Sequence, residues 1–137
     1  DAKQANLSKP DGIVNFKAFR AGEMYLVRAE ANARLGGANE ASGLNDLNTL
    51  RAARISGYTN EVLAGTALLQ AIADERRKEL IGEGHRFFDL KRTTRTINRT
   101  TNCANFCTLS PTAREWAMPV PQSEMLANPA MIQNTGY

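Results

Sequence analysis

The stretch Glu75-Arg-Arg-Lys-Glu-Leu-Ile-Gly-Glu-Gly-His-Arg-Phe-Phe-Asp-Leu-Lys-Arg92 constrains the fold more than any other, because it puts charge where an amphipathic helix puts bulk. At 3.6 residues per turn, Leu69, Ile72, Ala73, Arg76 and Leu80 share one stripe, bordered by Glu75, Glu79 and Glu83. An arginine therefore occupies a core position. Buried alone, it would cost several kcal/mol, on the order of the whole stability of a small domain, so the flanking carboxylates are its expected partners. Gly84 reads as the residue that closes this helix. Beyond it, Arg86, Asp89 and Arg92 recur every third position among Phe87, Phe88 and Leu90, which predicts a second short helix. Glu75, Arg76, Glu79, Glu83, Arg86, Asp89 and Arg92 are accordingly read as a structural charge network that knits two helices together.

Upstream, the periodicity predicts a helix from Arg20 to Leu35, with Met24, Val27, Ala31 and Leu35 on one face, Leu26, Ala29 and Ala33 beside it, the alanines making one side narrow enough for a close neighbour, and Glu30 and Arg34 as an i,i+4 pair on the outside. Gly36-Gly37 ends it. Asn39 is placed to cap a second helix carrying Leu44, Leu47 and Leu50 to about Arg54, where Ser56-Gly57 stops it. So short a turn makes the two helices antiparallel, and the pair has the size and small interhelix residues of one tetratricopeptide-type unit. Such a unit must stack on something, and a third helix from Thr66 to about Ile81 is the available neighbour. Residues 1–19 read as an extended arm around the turn signal Pro10-Asp11-Gly12 and are expected to be incomplete, with residues 20–137 as the helical domain.

Between Thr93 and Arg114 neither period is present, and so long a connection suits a binding loop, an ordered surface loop or a disordered one. Lys91, Arg92, Arg95, Arg99 and Arg114 fall in or beside it, whereas no Asp or Glu occurs from Leu90 through Arg114, so the segment is locally positive. It holds the two cysteines of the chain, Cys103 and Cys107. A disulfide between them is geometrically feasible and suits an oxidising compartment, with free thiols as the alternative; a tetrahedral metal site would be a ligand short even with His85. Further on, Trp116, Met118 and Val120 alternate among Pro119 and Pro121, which predicts a core-docked extended segment. Pro121-Gln-Ser-Glu124 then starts one helical turn that Asn128-Pro129 ends.

With 137 residues and 42% hydrophobic content, the chain can bury one core of an all-α fold, built as tetratricopeptide-like helix pairs followed by a long irregular C-terminal region. A net charge of +3 is too small to call for nucleic acid, and no apolar run approaches the roughly 20 residues that cross a bilayer. The first residue is Asp1, so the chain reads as a mature product or an excised piece.

Taken in order, Arg20-Ala-Gly-Glu-Met-Tyr-Leu-Val-Arg-Ala-Glu-Ala31, Leu47-Asn-Thr-Leu-Arg51, the stretch Glu75 to Arg92, Met118-Pro-Val-Pro121, Asn128-Pro129 and Gln133-Asn-Thr-Gly-Tyr137 resemble the C-terminal part of the SusD/RagB family of outer-membrane nutrient-binding lipoproteins. The resemblance covers about residues 20 to 137. It implies a surface-exposed outer-membrane lipoprotein, without catalytic activity or cofactor, that captures glycans or other nutrients beside a SusC-type TonB-dependent porin. Membrane attachment would be through a lipid anchor outside this chain, since neither Cys103 nor Cys107 can serve. Ligand contacts in the family come from variable loops, so none transfers residue by residue.

The residues themselves offer sugar-binding candidates in Phe106, Arg99, Asn102 and Asn105 of the long loop, with Tyr58 as a second aromatic platform. The alternative on the same fold is a helical-repeat adaptor that binds a protein or peptide. A glycoside hydrolase built on Glu75, Glu79, Glu83 and Asp89 would need an open cleft, whereas carboxylates that border an apolar stripe and face Arg76 and Arg86 are expected to be ionised and covered.

Overall fold

The computed structural model describes residues 19–105 and 107–137. The N-terminal arm expected over residues 1–19 thus lies outside the described residues except for Phe19. Contacts divide the chain into two units, one ending at Leu80 and the other running from Ile81 to Tyr137.

In the first unit, α1 (Ala21–Leu35), α2 (Asn39–Arg54) and α3 (Gly65–Glu79) realise the all-α reading, with α1 packed against both of the others. The chain reverses between α1 and α2 at Gly36 and Gly37, whose φ values of 70° and 56° are costly for residues that carry a Cβ. Asn39 opens α2, but its side chain does not cap it. Its Nδ2 instead donates to the Gly36 carbonyl at 3.3 Å, the same acceptor that takes the Asn39 backbone N–H at 3.2 Å.

Leu26, Ala29, Ala33, Leu47, Leu50, Leu68 and Ile72 form the core of this unit. Each fully buried Leu or Ile contributes about 1.5–3 kcal/mol relative to exposure. Of the two adjacent stripes on α1, the narrow alanine side faces inward: Gly22, Leu26, Ala29 and Ala33 are buried, whereas Met24, Val27 and Leu35 are exposed. Small residues won because they let α2 come close. A Cβ placed on Gly43 would lie 2.7 Å from the Ala29 carbonyl oxygen, a distance that the bulkier stripe could not have allowed. In α3 the buried side rotates slightly from the expected stripe, to Leu68, Ile72, Glu75 and Arg76, with Leu69 and Ala73 half-buried.

Buried polar side chains shape the connection from α2 to α3. Asn48 Nδ2 donates to the Glu61 carbonyl at 3.0 Å, while its Oδ1 accepts from the Glu61 N–H and from the Tyr58 hydroxyl at 2.7 Å. A long loop is thereby tied to one buried amide.

The second unit comprises α4 (His85–Arg92), a two-residue antiparallel pair β1 (Ile97–Asn98) and β2 (Thr108–Leu109), a 3-10 turn (Arg114–Trp116) and α5 (Gln122–Ala127). Gly84, with φ 80°, initiates α4 rather than closing the preceding helix, which already ends at Glu79. Trp116 is buried in the 3-10 turn, its ring 5.1 Å from that of Phe87, and Lys91 Nζ donates to the Trp116 carbonyl at 3.0 Å. The extended docking of Trp116, Met118 and Val120 is therefore not what forms. Met118 is exposed, and Val120 is held through its backbone, with its N–H and carbonyl both bonded to the Gln133 amide at 2.7 and 3.0 Å.

Candidate functional site: a cleft beside the disulfide-closed loop

After α4 the chain turns at Thr94, with φ 51°, and enters β1. Ile97 stands opposite Leu109 and Asn98 opposite Thr108, and the Arg99 N–H extends the ladder to the Cys107 carbonyl at 2.8 Å. Cys103 and Cys107 are joined by a disulfide with Cα atoms 5.6 Å apart. The loop beyond Arg99 is therefore closed at its base by the ladder and the covalent bridge together. This pairing answers the absence of periodicity between Thr93 and Arg114: two residues per strand are too few to show alternation.

A cleft of about 690 Å³ opens beside this hairpin, lined by Ile97, Arg99, Thr108, Leu109, Ser110, Ala113, Arg114 and Glu115. Its volume falls within the range of small-ligand sites. Ser110 and Trp116 are linked across the following turn, where the indole Nε1 donates to the Ser110 carbonyl at 2.6 Å. Arg114 is braced from three sides. Its Nε lies 3.3 Å from Glu115 Oε1, its guanidinium donates to the Gly136 carbonyl, and that group sits 4.8 Å from the centroid of the Tyr137 ring. The C-terminal residues thus hold one wall of the cleft. Ile97, Leu109 and Ala113 give it apolar surface, and two hydroxyls, two guanidiniums and a carboxylate give it hydrogen-bonding groups. Such a combination can pack against the apolar face of a sugar and hydrogen-bond its substituents.

Of the residues read as sugar-binding candidates, Arg99 lines this cleft. Asn102, with φ 55°, and Asn105 are exposed in the disulfide-closed loop and are not among the lining residues; Phe106 lies outside the described residues. Tyr58 belongs to the first unit, where its hydroxyl is engaged by Asn48. Sequence reasoning noticed Arg114 only as part of a positive segment and missed Ser110 and Glu115. Nothing in their spacing marks them, because a tight turn and the C-terminal residues bring them to the cleft.

Two carboxylates of α3, Glu75 and Glu79, are engaged by arginines of the first unit: Arg51, Arg54 and Arg20. Glu75 and Arg76 are both buried. Arg51 Nε donates to Glu75 Oε2 at 2.8 Å, and its Nη1 to Glu61 Oε2 at 2.9 Å. Burial pulls the Arg51 pKa down, but hydrogen bonds to Glu75 and Tyr58 and the charges of Glu75 and Glu61 more than offset it, so the group is held above its ordinary value. Glu79 accepts from Arg20 Nη1 at 3.0 Å and from Arg54 Nε and Nη2 at 3.1 and 3.0 Å. The Arg54 hydrogen bond is the main reason that its carboxyl lies below the ordinary range. In α4, Arg92 bonds Asp89 Oδ1 at 2.8 Å and Arg86 is exposed, as is Glu83 in the turn before the helix. Arg76 is buried as its place in the apolar stripe predicts, and Arg51, a second buried cation, escapes notice in the sequence because it sits at the end of an ordinary leucine run.

Residues 2–137 match the family model described as the SusD family. The chain is 30% identical over 129 residues to SusD-like protein P25 of Formosa agariphila, covering 87% of this chain and 24% of that protein. It is 34% identical over 105 residues to SusD-like protein P38 of the same organism, covering 69% and 20%. A SusD superfamily protein from Bacteroides vulgatus ATCC 8482 superposes with a TM-score of 0.70 at 36% identity, over 85% of this chain and 26% of that one. A second protein of that organism, described as a proposed sugar-binding protein, superposes with a TM-score of 0.69 at 30% identity, over 87% and 28%. The chain thus spans about a quarter or less of the length of the curated relatives it matches.

Proposed function

The chain belongs to the SusD family, and on that premise we propose that it contributes to non-enzymatic glycan capture at the outer-membrane surface, in a complex with a SusC-type TonB-dependent porin. The observation that carries this reading is the cleft beside the disulfide-closed loop, whose apolar floor and surrounding hydroxyl and guanidinium groups match what a sugar offers. The sugar-binding description of one Bacteroides vulgatus structural relative supports it.

The carboxylates of α3 speak for scaffold over chemistry. A glycosidic general acid needs a raised pKa in an open site, whereas Glu79 is held low by Arg54 and Arg20, and Glu75 is buried against Arg51. A glycan array probed with the full-length protein tests the proposal. Saturable binding to a defined glycan, with the glycan recovered uncleaved, is the expected result. Binding to a peptide or protein with no glycan signal would replace it with the adaptor reading.

A further inference from the structure

Resting on the glycan-capture reading, we infer that the cleft takes an acidic glycan, a sugar bearing a carboxylate or a sulfate ester, with Arg99 as the residue that reads the charge. The segment from Leu90 through Arg114 carries Lys91, Arg92, Arg95, Arg99 and Arg114 with no Asp or Glu. Three of these cations are already engaged. Arg92 bonds Asp89, Lys91 bonds the Trp116 carbonyl, and Arg114 is braced by Glu115, Gly136 and Tyr137.

Arg99 differs in the way it is held. Its backbone N–H is fixed by the Cys107 carbonyl, one residue pair beyond the ladder and at the base of the disulfide-closed loop, so the position of its Cα is set. Arg99 lines the cleft, and among the described residues no hydrogen bond or ion pair engages its guanidinium. Within the cleft, Glu115 offsets Arg114, and Arg99 is left as the uncompensated charge. A neutral sugar asks only for hydrogen bonds and apolar packing, which Thr108, Ser110 and the Ile97–Leu109 surface already offer. A planar, always-charged fork matches a carboxylate or sulfate bidentately. Pre-positioning through the backbone lowers the ordering cost of that contact.

Calorimetric titration of the full-length protein with a panel of neutral, uronate-bearing and sulfated oligosaccharides of equal length tests the inference. The expected result is that one acidic class binds roughly tenfold or more tightly than the neutral one, with affinity falling as salt rises. The class that binds identifies the anion. Arg99→Gln should remove that preference, and Arg99→Lys should restore part of it, with circular dichroism unchanged in both. Neutral sugars bound as tightly as acidic ones, or affinity insensitive to Arg99→Gln, would overturn the inference while leaving glycan capture standing. Binding of no member of the panel would overturn both.

Discussion

Arg51 Nε donates to Glu75 Oε2 at 2.8 Å, and both side chains are less than a tenth exposed. This pair joins α2 to α3 inside the first unit. Removing Arg51 leaves the buried Glu75 carboxylate with only the exposed Lys78 Nζ at 3.5 Å, so Arg51→Met is expected to lower stability by up to about 3–5 kcal/mol. Adding Glu75→Leu should recover most of that loss. Urea unfolding of the single and double variants checks it, and a single variant within about 0.5 kcal/mol of the parent would show that the pair bears no such role.

Close approach of α1 and α2 makes Gly43 irreplaceable. A glycine in an open helix surface gains roughly 1 kcal/mol on becoming alanine. At Gly43 the new methyl would meet the Ala29 carbonyl oxygen at 2.7 Å and the Ala33 nitrogen at 3.2 Å, both backbone atoms that cannot swing aside. Gly43→Ala should therefore destabilise by about 1–3 kcal/mol. A rise in melting temperature would contradict the packing described.

Acid should act through Glu79. Its carboxyl lies below the ordinary value of 4.5, chiefly because of the Arg54 hydrogen bond, with the charges of Arg54 and Arg20 adding to it and burial opposing. A depressed folded value means that the unfolded chain takes up the proton first. The contribution is thus complete above about pH 4.5 and is lost as pH falls through the lower folded value. Unfolding midpoints measured from pH 7 down to pH 3 should drop more steeply for the parent than for Glu79→Gln, and parallel curves would refute the assignment.

Most of the helical scaffold could be read from the sequence, because Leu47, Leu50, Ile72 and the glycine turns carry strong local signals. The close approach on the alanine side of α1 was legible too, since Ala29 and Ala33 leave room that Gly43 of the partner helix fills, although periodicity alone did not say that Met24, Val27 and Leu35 stay exposed. The cleft was legible at Arg99 alone. Its remaining groups converge through a two-residue ladder, a 3-10 turn and the Arg114–Tyr137 contact, none of which leaves a periodic trace.

Reduction of the Cys103–Cys107 bond should loosen the loop that follows Arg99. For so short a closed loop the chain-entropy estimate is roughly 2 kcal/mol. The expected outcome is a lower unfolding midpoint and weaker glycan binding in dithiothreitol, reproduced by Cys103→Ser with Cys107→Ser. Thiol alkylation followed by mass measurement should label neither cysteine until the protein is reduced, and labelling without reductant would contradict the bridge.

The most direct measurement is a crystal structure of the full-length protein with a bound oligosaccharide. The sugar is expected in the cleft, its ring over Ile97 and Leu109 and its polar groups at Arg99, Ser110 and Arg114, while the Arg51–Glu75 and Arg54–Glu79 pairs remain intact. A sugar seated instead against Glu75 or Glu79, with those ion pairs opened, would contradict the assignment of α3 to scaffold and of the cleft to ligand capture.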